Sequence, residues 1–161
     1  MVTETTIREA DPAGPDGQAV IRIHREHYES EFGIGESIER VVRPGIADFA
    51  ARPGSGRLWV VDDGGEVRGC IGVTLNGGGE AQLRWCVLDP ALRGRGLGRE
   101  LVATAVGYAR DQGCRSMFLI TIPPLTTAAH LYREAGFELK REDPQAPWGG
   151  PGVEQRYELT L

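Results

Sequence analysis

The chain of 161 residues has no apolar run approaching the roughly 18 residues that a membrane helix needs, so a spanning segment is not expected. Its start, MVTETTIREADPAG, lacks a cationic stretch followed by an apolar one, so no secretory leader is read and the cytoplasm is the expected location. Cysteine is scarce. Cys70, Cys86 and Cys114 are odd in number, far apart and set in apolar surroundings, which suits buried reduced thiols rather than disulfides or a zinc site. Basic charge is not in excess either. A net charge of -5 and a pI near 5.3 argue against a nucleic-acid surface and favour a cation wherever electrostatics select a ligand. Internal repeats and low-complexity linkers are also missing, and the length suits one domain spanning 1–161.

Glycine, in contrast, is abundant at 23 residues, many in pairs or triplets that read as turns. Between these turns the periodicity predicts a strand over Thr5–Glu9 and a helix from Gly17 to about Ser30. A second helical stretch over Ser37–Arg52, with Ser37 as a candidate N-cap, is expected to break at Pro44-Gly45 into two short helices. Strands over Leu58–Val61, Val67–Leu75 and Glu80–Leu88 then form an antiparallel meander. A helix runs from Leu97 to about Gln112, with Gly113 as its C-terminal cap. Met117–Ile122 is almost continuously apolar, the pattern of a central strand covered on both faces and parallel to its neighbour. A helix over Thr126–Ala135 and strands over Phe137–Arg141 and Glu154–Leu161 complete a mixed α/β domain.

The chemistry concentrates in Arg93-Gly94-Arg95-Gly96-Leu97-Gly98, which follows a strand and opens a helix. Successive backbone N–H groups and a helix N-terminus make an anion site there, and Arg93, Arg95 and Arg99 reverse the sign of the surrounding charge. The plainer alternative is a glycine turn with solvated arginines. No Walker pattern is present, and the dinucleotide fingerprint would need glycine where Arg99 stands, so a pyrophosphate of another kind is expected.

Arg93, Gly96 and Gly98 match the Arg/Gln-x-x-Gly-x-Gly/Ala signature of the GNAT superfamily of acyl-CoA N-acyltransferases, which the chain resembles. The resemblance extends upstream to Asp89-Pro90 and downstream to Leu131-Tyr132 and Gly136-Phe137. It implies a central, mostly antiparallel sheet with one parallel strand pair, flanked by helices. It also implies acetyl-CoA as cofactor, held by Cys86, Val87, Leu88, Arg93, Gly94, Arg95, Gly96, Leu97, Gly98, Arg99, Thr126 and Tyr132. Thr126 stands where the family often has an Asn that contacts the cofactor, with Thr126 or Thr127 as its substitute. From Ile23 to Gly33 and near Trp148 the chain is similar to a bacterial subgroup often fused behind a MarR-type DNA-binding domain. Only a few residues precede the first strand, so no helix-turn-helix and no DNA binding are expected here.

In that family an amine attacks the thioester directly, and a strand N–H near Val87 would stabilise the oxyanion. Tyr132 matches the general acid that protonates the departing thiolate, the alternative being a core aromatic on a helix. Family members often carry Glu where Gln82 stands. Glu80 and Gln82 are therefore the strand candidates for the base, with His27, Glu29, Glu31 or a water as substitutes. His24 and His27, three apart, lack the further ligands of a metal site and read as solvated or pocket-lining. His27, Tyr28, Glu31, Phe32 and Trp148 are candidate acceptor-pocket residues, Glu29 and Glu31 holding a cation. The implied activity is N-acetylation of a small amine or amino-acid-like metabolite, with a protein acceptor, a CoA-binding sensor of weak turnover and a longer acyl chain as alternatives. Dimers are common in the family, but no residue specifies an interface.

Overall fold

The computed structural model describes residues 4–144 and 153–161. In chain order it runs β1 (Thr5–Glu9), α1 (Pro15–Phe32), α2 (Gly35–Ala50), β2 (Gly56–Asp63), β3 (Glu66–Gly77) and β4 (Glu80–Leu88). It continues through α3 (Leu97–Asp111), β5 (Ser116–Thr121), α4 (Thr126–Glu134), β6 (Glu138–Asp143) and β7 (Glu154–Thr160). The strands form one sheet in the order β1-β2-β3-β4-β5-β7-β6, antiparallel throughout except for β4 and β5. None of the described helices is long and apolar enough to cross a membrane.

Pro15 opens α1, where its missing N–H is not needed, and Arg8 of β1 clasps Asp16 through both terminal nitrogens at 2.9 and 3.0 Å. Left-handed Gly33 (φ 68°) closes the helix, and the Glu29 carboxylate accepts from the Gly35 N–H at the start of α2. Glu29 is thereby a helix cap and not a group facing a ligand. The expected break at Pro44-Gly45 does not occur, because α2 is continuous over Gly35–Ala50 and Ile34, not Ser37, precedes it. Ile38, Val42, Ile46 and Phe49 form one buried stripe on both sides of Pro44. Pro44 and Arg40 face solvent, so water can take the carbonyl that proline leaves unpaired, and burial of the stripe outweighs a loss of about 3 kcal/mol.

Two cores cover the two faces of the sheet. Val61, Ile71, Val73, Leu83, Met117 and Leu119 pack under α3 and α4, while Leu58, Val60, Cys70, Trp85 and Val87 pack under α1 and α2. The second face is incomplete over β5. Phe118 and Ile120 are only partly buried, contrary to the expectation of a strand covered on both sides, since α1 and α2 sit over β2 to β4. Arg156 of β7 lies over the Phe118 ring in place of a helix, 3.9 Å from its centre. At the far edge, β6 carries five charged residues in six, a guard against edge pairing.

Strand β4 changes face partway along. Ala81 and Leu83 belong to the α3 side, but Trp85 and Val87 belong to the α1 side. The switch is a β-bulge at Trp85, whose φ of 53° is the only positive value of a non-glycine residue among those described, and it coincides with the register shift between Cys70 and Gly72 on β3. Three groups hold it. The Cys70 thiol donates to the Trp85 carbonyl at 3.0 Å, Phe49 meets the indole edge-on at 5.5 Å, and Gly72 leaves the space in which the indole lies. A Cβ at position 72 would stand 2.5 Å from the ring.

His24 is fully inside the α1 core, its Nδ1 2.7 Å from the Val20 carbonyl, rather than solvated or lining a pocket. Burial depresses its pKa from 6.5 to about 4. The unfolded chain thus binds a proton below about pH 6.5 that the folded ring refuses. Stability is expected to fall by roughly 3 kcal/mol as pH drops from 6.5 to 4 and to lose nothing more on this account below that. Urea unfolding at pH 7 and pH 4.5 checks this, with His24→Leu losing less between the two than the natural chain. Gly72→Ala is expected to destabilise by about 1–3 kcal/mol through overpacking at Trp85, measurable by the same unfolding curves.

Candidate active site

The β4–β5 ladder pairs only Glu80, Ala81 and Gln82 with Ser116, Met117 and Phe118. Beyond Gln82 both strands continue, β4 to Leu88 and β5 to Thr121, without pairing. They part where the Trp85 bulge turns β4, and the backbone edge from Leu83 onward has no ladder partner in β5. Into this gap opens a cavity of about 470 Å³. Cys86, Val87 and Leu88 form one wall, and His27, Tyr28, Glu31 and Phe32 of α1 form another. The remainder comes from Arg93, Gly94 and Gly96–Arg99, with Pro124–Ala128 and Leu131 opposite.

Asp89 sets the entry to the glycine loop. Its N–H donates to the Arg68 carbonyl at 2.8 Å, and its carboxylate accepts from Ala91 N–H at 2.9 Å, starting a short 3-10 turn over Pro90–Leu92. Gly94 (φ 83°) and Gly96 (φ 78°) then take left-handed conformations that only glycine adopts without strain. Gly96 is the N-cap of α3 and no side chain caps that helix, so its first amides and the positive end of its dipole are left for a ligand. A Cβ at Gly98 would come within 2.8 Å of Leu131, so this glycine seats α4 against α3. Arg99 is bound to Glu134 at 2.7 Å, whereas Arg93 lines the wall with no ion pair among the described residues. An uncapped helix start, left-handed glycines and an arginine fit the phosphates of a coenzyme A nucleotide.

Around the parting strands stand three groups that hold their protons. Tyr132 is 5% exposed, packed against Phe137 and Tyr157 with ring centres 6.1 and 6.4 Å away, and neighbours the Cys86 thiol. Burial, then the neighbouring Cys86, pushes the phenol well above its usual pKa. Cys86 itself is raised to about 11 by burial, with Tyr132 pulling the other way, and burial also raises Tyr28. His27 moves in the opposite sense. Burial and then the charge of Arg93 lower its pKa against the upward pull of Glu31 and Asp89, so its imidazole is neutral at neutral pH.

Of the residues expected at the site, His27, Tyr28, Glu31, Phe32, Cys86, Val87, Leu88, Arg93, Gly94, Gly96, Leu97, Gly98, Arg99 and Thr126 share this one cavity. Tyr132 lies just behind Cys86, and Arg95 is exposed on the loop away from the wall. Glu80 and Gln82 do not line it; they sit on the paired part of β4, Glu80 lying 3.6 Å from Arg156. Trp148 lies outside the described residues. Sequence reasoning missed Leu101, Pro124, Leu125, Ala128 and Leu131 as cavity residues, since none carries a polar or charged group that would mark it. No group of three or more metal-binding side chains occurs among the described residues.

A model of the Acetyltransferase (GNAT) family matches residues 18–137. Over 132 residues, 76% of this chain and 77% of the relative, the sequence is 32% identical to the uncharacterized N-acetyltransferase YjgM of Escherichia coli (strain K12). An acetyltransferase of GNAT family from Staphylococcus aureus Mu50 shares the fold with a TM-score of 0.81 at 18% identity, covering 98% of this chain and 99% of that one. So does yncA, a proposed acetyltransferase from Salmonella typhimurium solved with its cofactor acetyl-CoA, with a TM-score of 0.73 at 22% identity and coverage of 98% and 94%. The family match spans well over half of the sequence and agrees with the strand order and the glycine loop, and the chain belongs to the GNAT family of acetyltransferases.

Proposed function

We propose that the protein transfers an acetyl group from acetyl-CoA to the amine of a small metabolite, within a ternary complex. The observation that carries this reading is a single cavity with an uncapped helix start and Arg93 in one wall and the Cys86–Leu88 edge of a parted strand in another. Acetyl-CoA supplies the activated acetyl thioester. Arg93 and the first turn of α3 hold its phosphates, with Thr126 and Thr127 on the facing wall. The unpaired edge over Cys86–Leu88 offers backbone partners, and an amide near Val87 stabilises the oxyanion. Tyr132 keeps its proton until a thiolate departs, because burial opposes its own ionisation. His27, neutral and on the wall, takes the proton of the amine, and Glu31 faces the same space. Glu80 and Gln82, on the paired part of β4 and off the cavity wall, are not the base in this reading.

A second reading, a CoA-binding sensor with weak turnover, draws on Gln82, which offers no basic group and stands off the cavity. It would ally the chain with the regulator-fused subgroup. Release of free thiol with a panel of amines separates the two readings.

Calorimetric titration with acetyl-CoA is expected to show micromolar binding, and absence of binding at millimolar ligand overturns the proposal. Arg93→Ala is expected to raise the dissociation constant roughly tenfold, since a charge-assisted phosphate contact is lost. Tyr132→Phe should lower turnover by roughly tenfold or more with little change in acetyl-CoA affinity, as measured by thiol release and calorimetry, and unchanged turnover removes the acid role.

A further inference from the structure

Tyr28 carries a hydroxyl that the fold buries and leaves without a partner. The residue is 9% exposed and lines the cavity from α1, yet no hydrogen bond engages its hydroxyl among the described residues. The orphaned polar atoms shut off from solvent are Arg68 Nε and Thr121 Oγ1, so the Tyr28 hydroxyl opens into the cavity that its ring lines. Phenylalanine would fill the same space without the unfavourable desolvation of an unpaired hydroxyl, so folding alone does not account for the oxygen. The ring is also held in place. His24, itself buried, stacks on it with centres 6.2 Å apart, and His27 and Phe32 meet it edge-on at 5.7 and 5.8 Å. The hydroxyl is therefore aimed before any ligand arrives, the condition under which a hydrogen-bond donor contributes most to a reaction.

Its position relative to the sheet indicates the target. Tyr28 belongs to the core on the α1 face and Tyr132 to the core on the α3 face, so an unbroken β4–β5 ladder would stand between them. At the gap where the strands part, both phenols neighbour Cys86, and Tyr132 also senses Tyr28. Of the two, Tyr28 lines the cavity, in the wall that it shares with His27, while Cys86, Val87 and Leu88 form another. Burial, then the nearby Cys86 and Cys70, raises its pKa, so the phenol donates and does not ionise.

We propose that the Tyr28 hydroxyl donates to the acyl carbonyl oxygen of the bound thioester, a catalytic residue that completes a two-donor oxyanion site with the amide near Val87. The proposal rests on the acetyl-transfer reading above and adds to it a donor from the opposite face of the sheet to Tyr132. No covalent bond forms or breaks at Tyr28, and its proton stays on the oxygen. Such a donor polarises the carbonyl before an amine arrives, so its action is readable without turnover.

The test uses acetyl-CoA labelled with carbon-13 at the carbonyl, bound without an acceptor to the natural chain, Tyr28→Phe and Tyr132→Phe. Isotope-edited infrared spectra are expected to show the carbonyl band of the natural complex at lower frequency than that of Tyr28→Phe, because a donated hydrogen bond weakens the C=O bond. Tyr132→Phe should leave the band in place, since its proton is meant for the sulfur. With an amine that releases thiol, Tyr28→Phe should lower kcat roughly a hundredfold, with little change in the acetyl-CoA dissociation constant. Its melting temperature should stay unchanged or rise, because no bond of the unliganded fold is lost. A carbonyl band that Tyr28→Phe does not move, one that Tyr132→Phe moves equally, or an unchanged kcat in Tyr28→Phe each overturns the assignment while leaving acetyl transfer standing. Failure of acetyl-CoA to bind the natural chain overturns both readings.

Discussion

The bulge at Trp85 is the constraint on which the functional half of the molecule depends. A strand of unbroken alternation would send Trp85 to the α3 side with Leu83 and would continue its ladder with β5. Turning Trp85 to the other face separates the cores of α1–α2 and α3–α4 and leaves the β4 edge unpaired where Cys86, Val87 and Leu88 line a cavity. A φ of 53° in a bulky residue is unfavourable by about 1–3 kcal/mol, so the surroundings must over-determine it. They do so from three directions: Cys70 on the carbonyl, Phe49 on the indole edge and Gly72 beneath the ring. Cys70 therefore belongs to the site although it touches no ligand space, and its buried thiol stays protonated as that bond requires.

Much of this was legible in the residues. The bounds of β1, β4, α3 and α4 match the observed elements closely because α3 and α4 each bury one face, the strands alternate, and clear terminators follow, such as Gly113 (φ 79°) after α3. The Arg93–Gly98 loop was legible for a different reason, since left-handed glycines before an uncapped helix have a signature in sequence itself. The error at Pro44 came from weighing a local rule against no tertiary information. The stripe of Ile38, Val42, Ile46 and Phe49 holds the helix across the proline, and only the fold shows that the freed carbonyl side faces water.

The bulge was not legible, because a single extra residue in a strand of apolar and polar alternation leaves no pattern that distinguishes it from regular pairing. Its consequences were hidden for the same reason. Glu80 and Gln82, taken from the family's usual place for the base, sit on the paired part of β4 and not on the cavity wall. Glu29 was equally opaque, as its role as a cap for Gly35 depends on how α2 follows Gly33. Trp148, although conspicuous in the sequence, lies outside the described residues.

Charge is arranged against the average of the chain. A protein with 23 acidic and 18 basic residues repels a polyanionic nucleotide at long range, so its capture has to be local. Arg99 contributes less than its position suggests, because Glu134 at 2.7 Å cancels much of its field and turns it into a clamp between α3 and α4. What remains at the wall is Arg93 and the α3 terminus, worth about half an elementary charge. Arg93 also helps hold His27 neutral, which couples the two ends of the cavity electrostatically. An anion seated on Arg93 would offset that influence and raise the proton affinity of His27, so under the acetyl-transfer reading an occupied phosphate site would make the imidazole a better base for the amine.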